Sequence, residues 1–348
     1  MPDSYDLVAG SLYGLAYGDA LGKPTEFLSF DTITARYGAG GPRDLPRDQH
    51  GVARVTDDTQ MALAVADALI ATLADDGALT SARFEPRVRE CFVDWWRSPE
   101  NNRAPGRTCL TACESLASGL PWRDATVMAS KGCGANMRVT PVAIADQQHG
   151  PIDDETRAGA AQLQAAVTHG HATALAASEL TMLAVRWLLD GTPLADLTPR
   201  LRSRCAEQRT NYRADWLGDL WRRSHAPSRD DWTARGWDEC AAALDRLTVA
   251  LERPDRHSDP CDATGQGWIA EEALATALHC ALLYPDDPVA ALGRAAATSG
   301  DSDSIAALTG AMVGAVHGLD AFPHDWRERI EYRVELDRIL RTWTAAPA

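Results

Sequence analysis

Gly310-Ala311-Met312-Val313-Gly314-Ala315-Val316-His317-Gly318 sets small residues four apart, on one face of a helix. Such a face lets a second helix approach closely, so this run predicts a buried central helix. Gly10, Gly14 and Gly18 repeat the device near the other end of the chain. Each small-residue run lies beside an acidic motif. Val55-Thr56-Asp57-Asp58-Thr59-Gln60 precedes the helical run Met61-Ala62-Leu63-Ala64-Val65-Ala66, and Gly300-Asp301-Ser302-Asp303-Ser304 precedes Ile305-Ala306-Ala307-Leu308. Two core helices carrying one polar site would account for both pairs.

Each acidic cluster offers carboxylates and hydroxyls. Brought together, they would make an all-oxygen site for magnesium, manganese or calcium. Without a cation, converging carboxylates repel one another strongly. A plainer reading stands beside this one, because Asp, Ser and Thr are also good helix N-caps.

The rest of the chain reads as helix. Alanine-rich amphipathic segments alternate with Gly/Pro/Asp loops, with no alternating strand series. Helices are predicted near 6–20, 58–75, 81–96, 108–118, 136–147, 154–167, 171–190, 197–208, 236–250, 268–283, 288–297, 303–317 and 325–343. The expected fold class is all-α, in one compact domain over 1–348, with the tail from Ala345 frayed.

Bulk properties narrow the function. A hydrophobic content of 45% is ample for a large core, and a net charge of −15 argues against grasping a nucleic-acid backbone. None of the eight cysteines forms a C-x-x-C pair, so a zinc site of that kind is not expected. The thiols read as reduced and the protein as cytoplasmic. Met1 to Asp6 carries no basic segment before an apolar stretch, so no signal peptide is expected. No apolar run looks long enough to cross a bilayer, and a monomer is expected.

In order along the chain stand Gly10-Ser11-Leu12-Tyr13-Gly14-Leu15-Ala16-Tyr17-Gly18-Asp19-Ala20-Leu21-Gly22, Glu26-Phe27, Thr56-Asp57-Asp58, Gly132-Cys133-Gly134-Ala135-Asn136-Met137-Arg138-Val139-Thr140-Pro141, Thr168-His169, Gly267-Trp268-Ile269-Ala270-Glu271-Glu272-Ala273-Leu274 and the 300–304 run. In this series the chain resembles the ADP-ribosylglycohydrolases, the group of the dinitrogenase-reductase-activating glycohydrolase and the ADP-ribosylhydrolases. The least similar part is 192–262, which reads as a family-variable helical insertion. Its Trp216, Trp221, Trp232 and Trp237 read as packing residues.

The resemblance implies two magnesium ions, with manganese as a substitute. It implies metal ligands at Thr56, Asp57, Asp58, Asp301, Asp303 and Ser304, and places the reaction on Glu26, Asp58 and Asp303. Glu26 would act as a loop general acid–base group; read without the resemblance, it is an ordinary exposed loop glutamate. Cys133, Gly134, Ala135, Asn136 and Met137 would hold the diphosphate of ADP-ribose, with His169 nearby. Asn is usual in the family where Cys133 stands, so a backbone contact is expected there. Arg138 is expected to buttress a carboxylate, and His171 to be structural. Trp268 reads equally as a border of the adenosine pocket or as core.

The implied activity is magnesium-dependent hydrolysis of the bond between ADP-ribose and an acceptor, releasing ADP-ribose. Some arginine-directed relatives carry an acid on the acceptor side, where this chain has Ala104. That weakens ADP-ribosylarginine as the substrate. The alternatives are hydrolysis of a free ADP-ribosylated metabolite or nucleoside, and a catalytically silent ADP-ribose-binding protein.

Overall fold

The computed structural model describes residues 3–74, 77–146 and 151–344. Among them run eighteen α-helices and no strand, only three isolated β-bridges. The chain is all-α.

At the centre, helix Ser4–Gly22 packs antiparallel against helix Ser302–His317. The glycines set how close they come. A Cβ added to Gly14 would lie 2.2 Å from the carbonyl oxygen of Gly310, and one on Gly310 would lie 1.9 Å from that of Gly14. Gly10 faces Gly314 and Gly18 faces Ala306 in the same way. Any larger residue would force the backbones apart, so the spacing read from the sequence is a contact between main chains. The antiparallel course carries Gly22, at the end of the first helix, onto Ser302 and Asp303 at the start of the other. The turn after Gly22 is thereby delivered to the second acidic motif.

Helix Asp57–Leu73 is also buried over most of its length, as its alanine-rich sequence implied. Its first turn and that of Ser302–His317 point partial positive charge at the region between them.

The structure redraws several predicted elements. The helix expected over 136–147 is only Thr140–Ile144, because Pro141 has no N–H to continue a helix from before it. Residues 133–135 form a 3-10 turn instead. The end of that predicted helix, the end of the one over 58–75 and the tail fall outside the described residues. The helix expected over 325–343 is two, His324–Arg329 and Arg333–Thr344. Between them Arg329 and Glu331 exchange backbone hydrogen bonds with Ala53, and Tyr332 takes φ +60°. That break aims Glu331 at the base of the Thr56 turn. The helix predicted over 236–250 begins earlier, at Arg229, where Ser228 caps it.

Segment 192–262 joins the main hydrophobic cluster through Leu197, Leu201, Trp232, Trp237, Leu244 and Leu247. Trp216 and Trp221 pack against that cluster partly buried, so the four tryptophans do pack. The segment is also pinned by charge, since Arg204 and Arg213 both reach the fully buried Glu179.

Contrary to expectation, one helix among the described residues is long and apolar enough to cross a membrane by length and composition. It is Ala172–Leu189, mean hydropathy 1.3, and 89% of it is buried inside the protein.

Candidate active site

Asp19 organises the site from below, and the sequence expectations passed over it. It is fully buried at the end of the small-residue face of the first helix. Its carboxylate accepts from Thr56 N at 2.9 Å, from Thr59 N at 3.1 Å and from Thr59 Oγ1 at 2.5 Å. The bend that presents Thr56, Asp57 and Asp58 is thus held by a side chain from another helix. A signal was available: one acid directly after Gly18, in a run otherwise small and apolar.

The same bend is clamped from outside. Val55 N donates to Glu331 at 3.1 Å, while Lys23 Nζ donates to Val55 O at 3.0 Å. Arg103 grips Glu331 through both terminal nitrogens. These cations are engaged with the carbonyl or with Glu331 behind the turn.

The two acidic clusters face each other. After burial, the charge of Asp303 is the largest cause raising the pKa of Asp57, Asp58 and Asp19. Glu26, Asp301 and Asp303 bring carboxylate oxygens within 4.8 Å of one another. Glu26 is half-buried, which sets aside the ordinary exposed glutamate. Burial first, then the charges of Asp303 and Asp57, push its carboxyl up to about 9. Its turn is pinned: Glu26 N donates to Gly22 O at 3.0 Å, and Thr25 Oγ1 donates to Ser302 Oγ at 3.1 Å.

Capping explains only half of the pattern. Thr56 does cap its helix, accepting from Asp58 N at 3.2 Å. Asp301 stands at the N-cap of the Ser302 helix but makes no side-chain capping bond. It accepts instead from the thiol of Cys133, at 2.6 Å. Asp303 accepts from Ser304 N at 3.0 Å, and Asp57 from Gly106 N at 3.3 Å. Asp58 Oδ2 is buried without any partner. Ser304 Oγ has only sulfur acceptors, Cys133 Sγ at 3.6 Å and Met137 Sδ at 4.0 Å. Crowded carboxylates, an orphan oxygen and a weakly engaged hydroxyl suit a hard divalent cation.

The glycine motif divides in two. Cys133 and Gly134 stand at the turn, partly buried, whereas Ala135, Asn136 and Met137 lie beneath it in the core. Asn136 Nδ2 donates to Ala270 O at 3.0 Å and to Thr181 Oγ1 at 3.1 Å, so it ties the turn to neighbouring helices. The Cys133 amide donates to Trp268 O at 3.1 Å. His169 is buried directly under the glycines; a Cβ on Gly134 would sit 3.0 Å from its ring. Burial holds its imidazole neutral.

Arg138 departs from expectation. Among the described residues it reaches no carboxylate, donating instead to Gln164 Oε1 at 2.8 Å and Thr168 Oγ1 at 2.7 Å. Thr168 Oγ1 meets His169 Nδ1 at 2.8 Å, so Arg138 orients the histidine through it. His171 caps its helix by accepting from Thr173 N, a structural role as expected. Trp268 is not core: it is 38% exposed and stacks on the exposed Phe27 beside Glu26.

The chain is similar to known proteins over most of its length. The ADP-ribosyl-dinitrogen-reductase glycohydrolase of Rhodospirillum rubrum is 26% identical over 344 residues, covering 96% of this chain and 93% of that protein. The ADP-ribosylarginine hydrolase Tri1 of Pseudomonas putida is 25% identical, over 97% of this chain and 77% of its own. The ADP-ribosylhydrolase ARH3 of Danio rerio is 25% identical, over 95% and 88%. Among solved structures, an ADP-ribosylglycohydrolase-related protein complex superposes at a TM-score of 0.66, with 24% identity and 100% coverage of both chains. The ADP-ribosylglycohydrolase profile itself matches residues 1–347. The chain belongs to the ADP-ribosylglycohydrolase family.

Proposed function

We propose that this protein hydrolyses the glycosidic bond between ADP-ribose and an acceptor, in a magnesium-dependent reaction that releases ADP-ribose. The observation that carries this reading is the meeting of Glu26 with two facing acidic clusters beside a glycine turn. The names of the relatives support the substrate class.

Thr56, Asp57, Asp58, Asp301, Asp303 and Ser304 would hold two magnesium ions, with manganese as a substitute. Bound there, the ions would supply Lewis-acid polarisation and orient the ribose hydroxyls and a water. The protein's own groups do the rest. Asp19 fixes the Thr56–Asp58 bend through three donors. Glu26, its carboxyl pushed up into the neutral-to-basic range, can hold or pass a proton beside the scissile bond. The Gly132–Gly134 turn lets a diphosphate approach the main chain closely.

Ala104 carries no charge to hold a guanidinium, although its loop touches the site through Gly106 N on Asp57. A panel of arginine-, serine- and nucleobase-linked ADP-ribose substrates, with magnesium or with chelator, tests the reading. Release of ADP-ribose from at least one member, abolished by chelator, is expected. Glu26→Gln should lower turnover by ~10²–10⁴-fold while the protein stays folded. Binding of ADP-ribose without turnover of any member would show a silent binding protein instead.

A further inference from the structure

Of the described phenylalanines and tryptophans only two are exposed, and they stack on each other. Phe27 is 70% exposed and Trp268 38% exposed, with ring centroids 5.7 Å apart and planes 15° from parallel. Phe27 also takes φ +64°, a left-handed backbone that a bulky residue rarely adopts. Strain of that kind persists where the surroundings enforce it, and it gathers at functional sites. Phe27 directly follows Glu26, in a turn where Leu28 N donates to Thr25 O at 3.0 Å. Trp268 is joined to the rest of the site through its main chain. Its carbonyl accepts from the Cys133 amide of the glycine turn at 3.1 Å. Two residues earlier, Gln266 O accepts from Asp301 N at 2.8 Å, and a Cβ on Gly267 would lie 3.4 Å from that of Asp301. The stack therefore links the turn that carries Glu26 to the segment that holds both the glycine turn and Asp301.

We propose that Trp268 is a positioning residue: its ring, through Phe27, fixes where the Glu26 carboxyl stands against Asp301 and Asp303. The assignment rests on the reading of Glu26 as the acid–base group of the proposed hydrolysis. Two rings left this far in water add little to the core, so burial does not explain the pair. Position does. A group that passes a proton must stand within hydrogen-bond reach of it, and a displacement of about 1 Å can lower a rate by ~10²-fold. Glu26 sits on a short turn, and the one ring in that turn is braced from across the site. The brace comes from the same segment that fixes Asp301, so Glu26 and Asp301 are placed from a common support.

The test compares Trp268→Leu, Trp268→Phe and Phe27→Gly with wild type, on the panel member that wild type turns over. Trp268→Leu removes the ring and keeps the main-chain bonds of 266–268. It should lower kcat by roughly 10–10²-fold, with KM and the magnesium affinity measured by calorimetry unchanged. Trp268→Phe should keep the wild-type rate. Phe27→Gly should lose kcat in the same way yet melt no lower than wild type, because glycine adopts φ +64° freely. The double variant Trp268→Leu/Phe27→Gly should be no slower than the slower single one, since both remove one contact. Amide hydrogen exchange should quicken at Glu26 and Leu28 in Trp268→Leu and stay unchanged in helix Ser302–His317. Phe27→Gly with the wild-type kcat, or Trp268→Leu with its loss in KM alone, overturns the assignment. So does Phe27→Gly that melts lower with its rate intact, which makes the stack a fastening of the fold. Wild type that turns over no panel member fails the hydrolase reading separately. Exchange then decides the positioning: quickened at Glu26 it stands, unchanged it is overturned.

Discussion

Two sets of buried acids in this protein are solved in opposite ways. Glu179 is fully buried, and the protein gives it partners: Arg204 at 2.9 Å, Arg213 at 3.0 Å and Gln162 at 2.7 Å. Asp57, Asp58, Asp301 and Asp303 are buried too, yet among the described residues no arginine or lysine pairs with them. The nearby cations are held behind the Thr56 turn, on Glu331 and Val55 O. Burial alone therefore says little about an acid's purpose. Glu179 is complete and fastens 192–262 to the core. The acids at the site keep their oxygens available, and crowding and burial raise the pKa values of Asp57, Asp58 and Asp301.

The largest effect expected from this contrast is at Glu179. Glu179→Ala removes the buried carboxylate shared by Arg204 and Arg213, leaves them only the more exposed Glu155, and should cost about 3 kcal/mol, the low end for losing one partner of a buried pair. Urea unfolding measures it. A loss no greater than that of a surface substitution would mean that the network is not what pins 192–262.

The next effect has the opposite sense. Burial and Asp303 hold the carboxyls of Asp19 and Asp57 up to about 7 and about 8, against about 4 when unfolded. Between those limits the metal-free native state binds protons that the unfolded chain has released, so its stability falls as pH rises. In chelator, melting should therefore weaken from about pH 5 to pH 8. Asp57→Asn should flatten that slope, and magnesium should do the same in wild type. A slope unchanged by both would show that the acids do not crowd as described.

The smallest effect belongs to exposed pairs. Arg87 and Glu90 meet at 3.1 Å with half or more of each side chain in water. Arg87→Ala should stay within about 0.5 kcal/mol of the parent. A larger loss would blur the distinction drawn at Glu179.

How much of this was legible follows from how local each feature is. The small-residue faces and the two acidic motifs are short patterns, and each could be read where it stood, whereas Glu26 stood out only through the family resemblance. Asp19 was not read, because its three acceptor bonds go to a turn 37 to 40 positions away. Glu179 was not read from the sequence either, since its arginines come from 204 and 213. The break between Arg329 and Arg333 depends on pairing with Ala53, which no helical periodicity announces. Short helices such as Phe30–Tyr37 and Pro260–Thr264 offered too few turns for a pattern. In the glycine motif, the sequence could not tell the residues at the turn from those beneath it. Asn136 and Met137 proved to be support.

The central claim is that the unpaired acids exist to hold cations. Magnesium binding measured by calorimetry on the chelator-stripped protein tests it most directly, with Asp303→Asn and Glu26→Gln alongside. The account predicts that wild type binds magnesium, that Asp303→Asn loses most of that affinity, and that Glu26→Gln keeps it while losing turnover. Wild type that binds no magnesium, or Asp303→Asn that binds it as wild type does, would contradict the account.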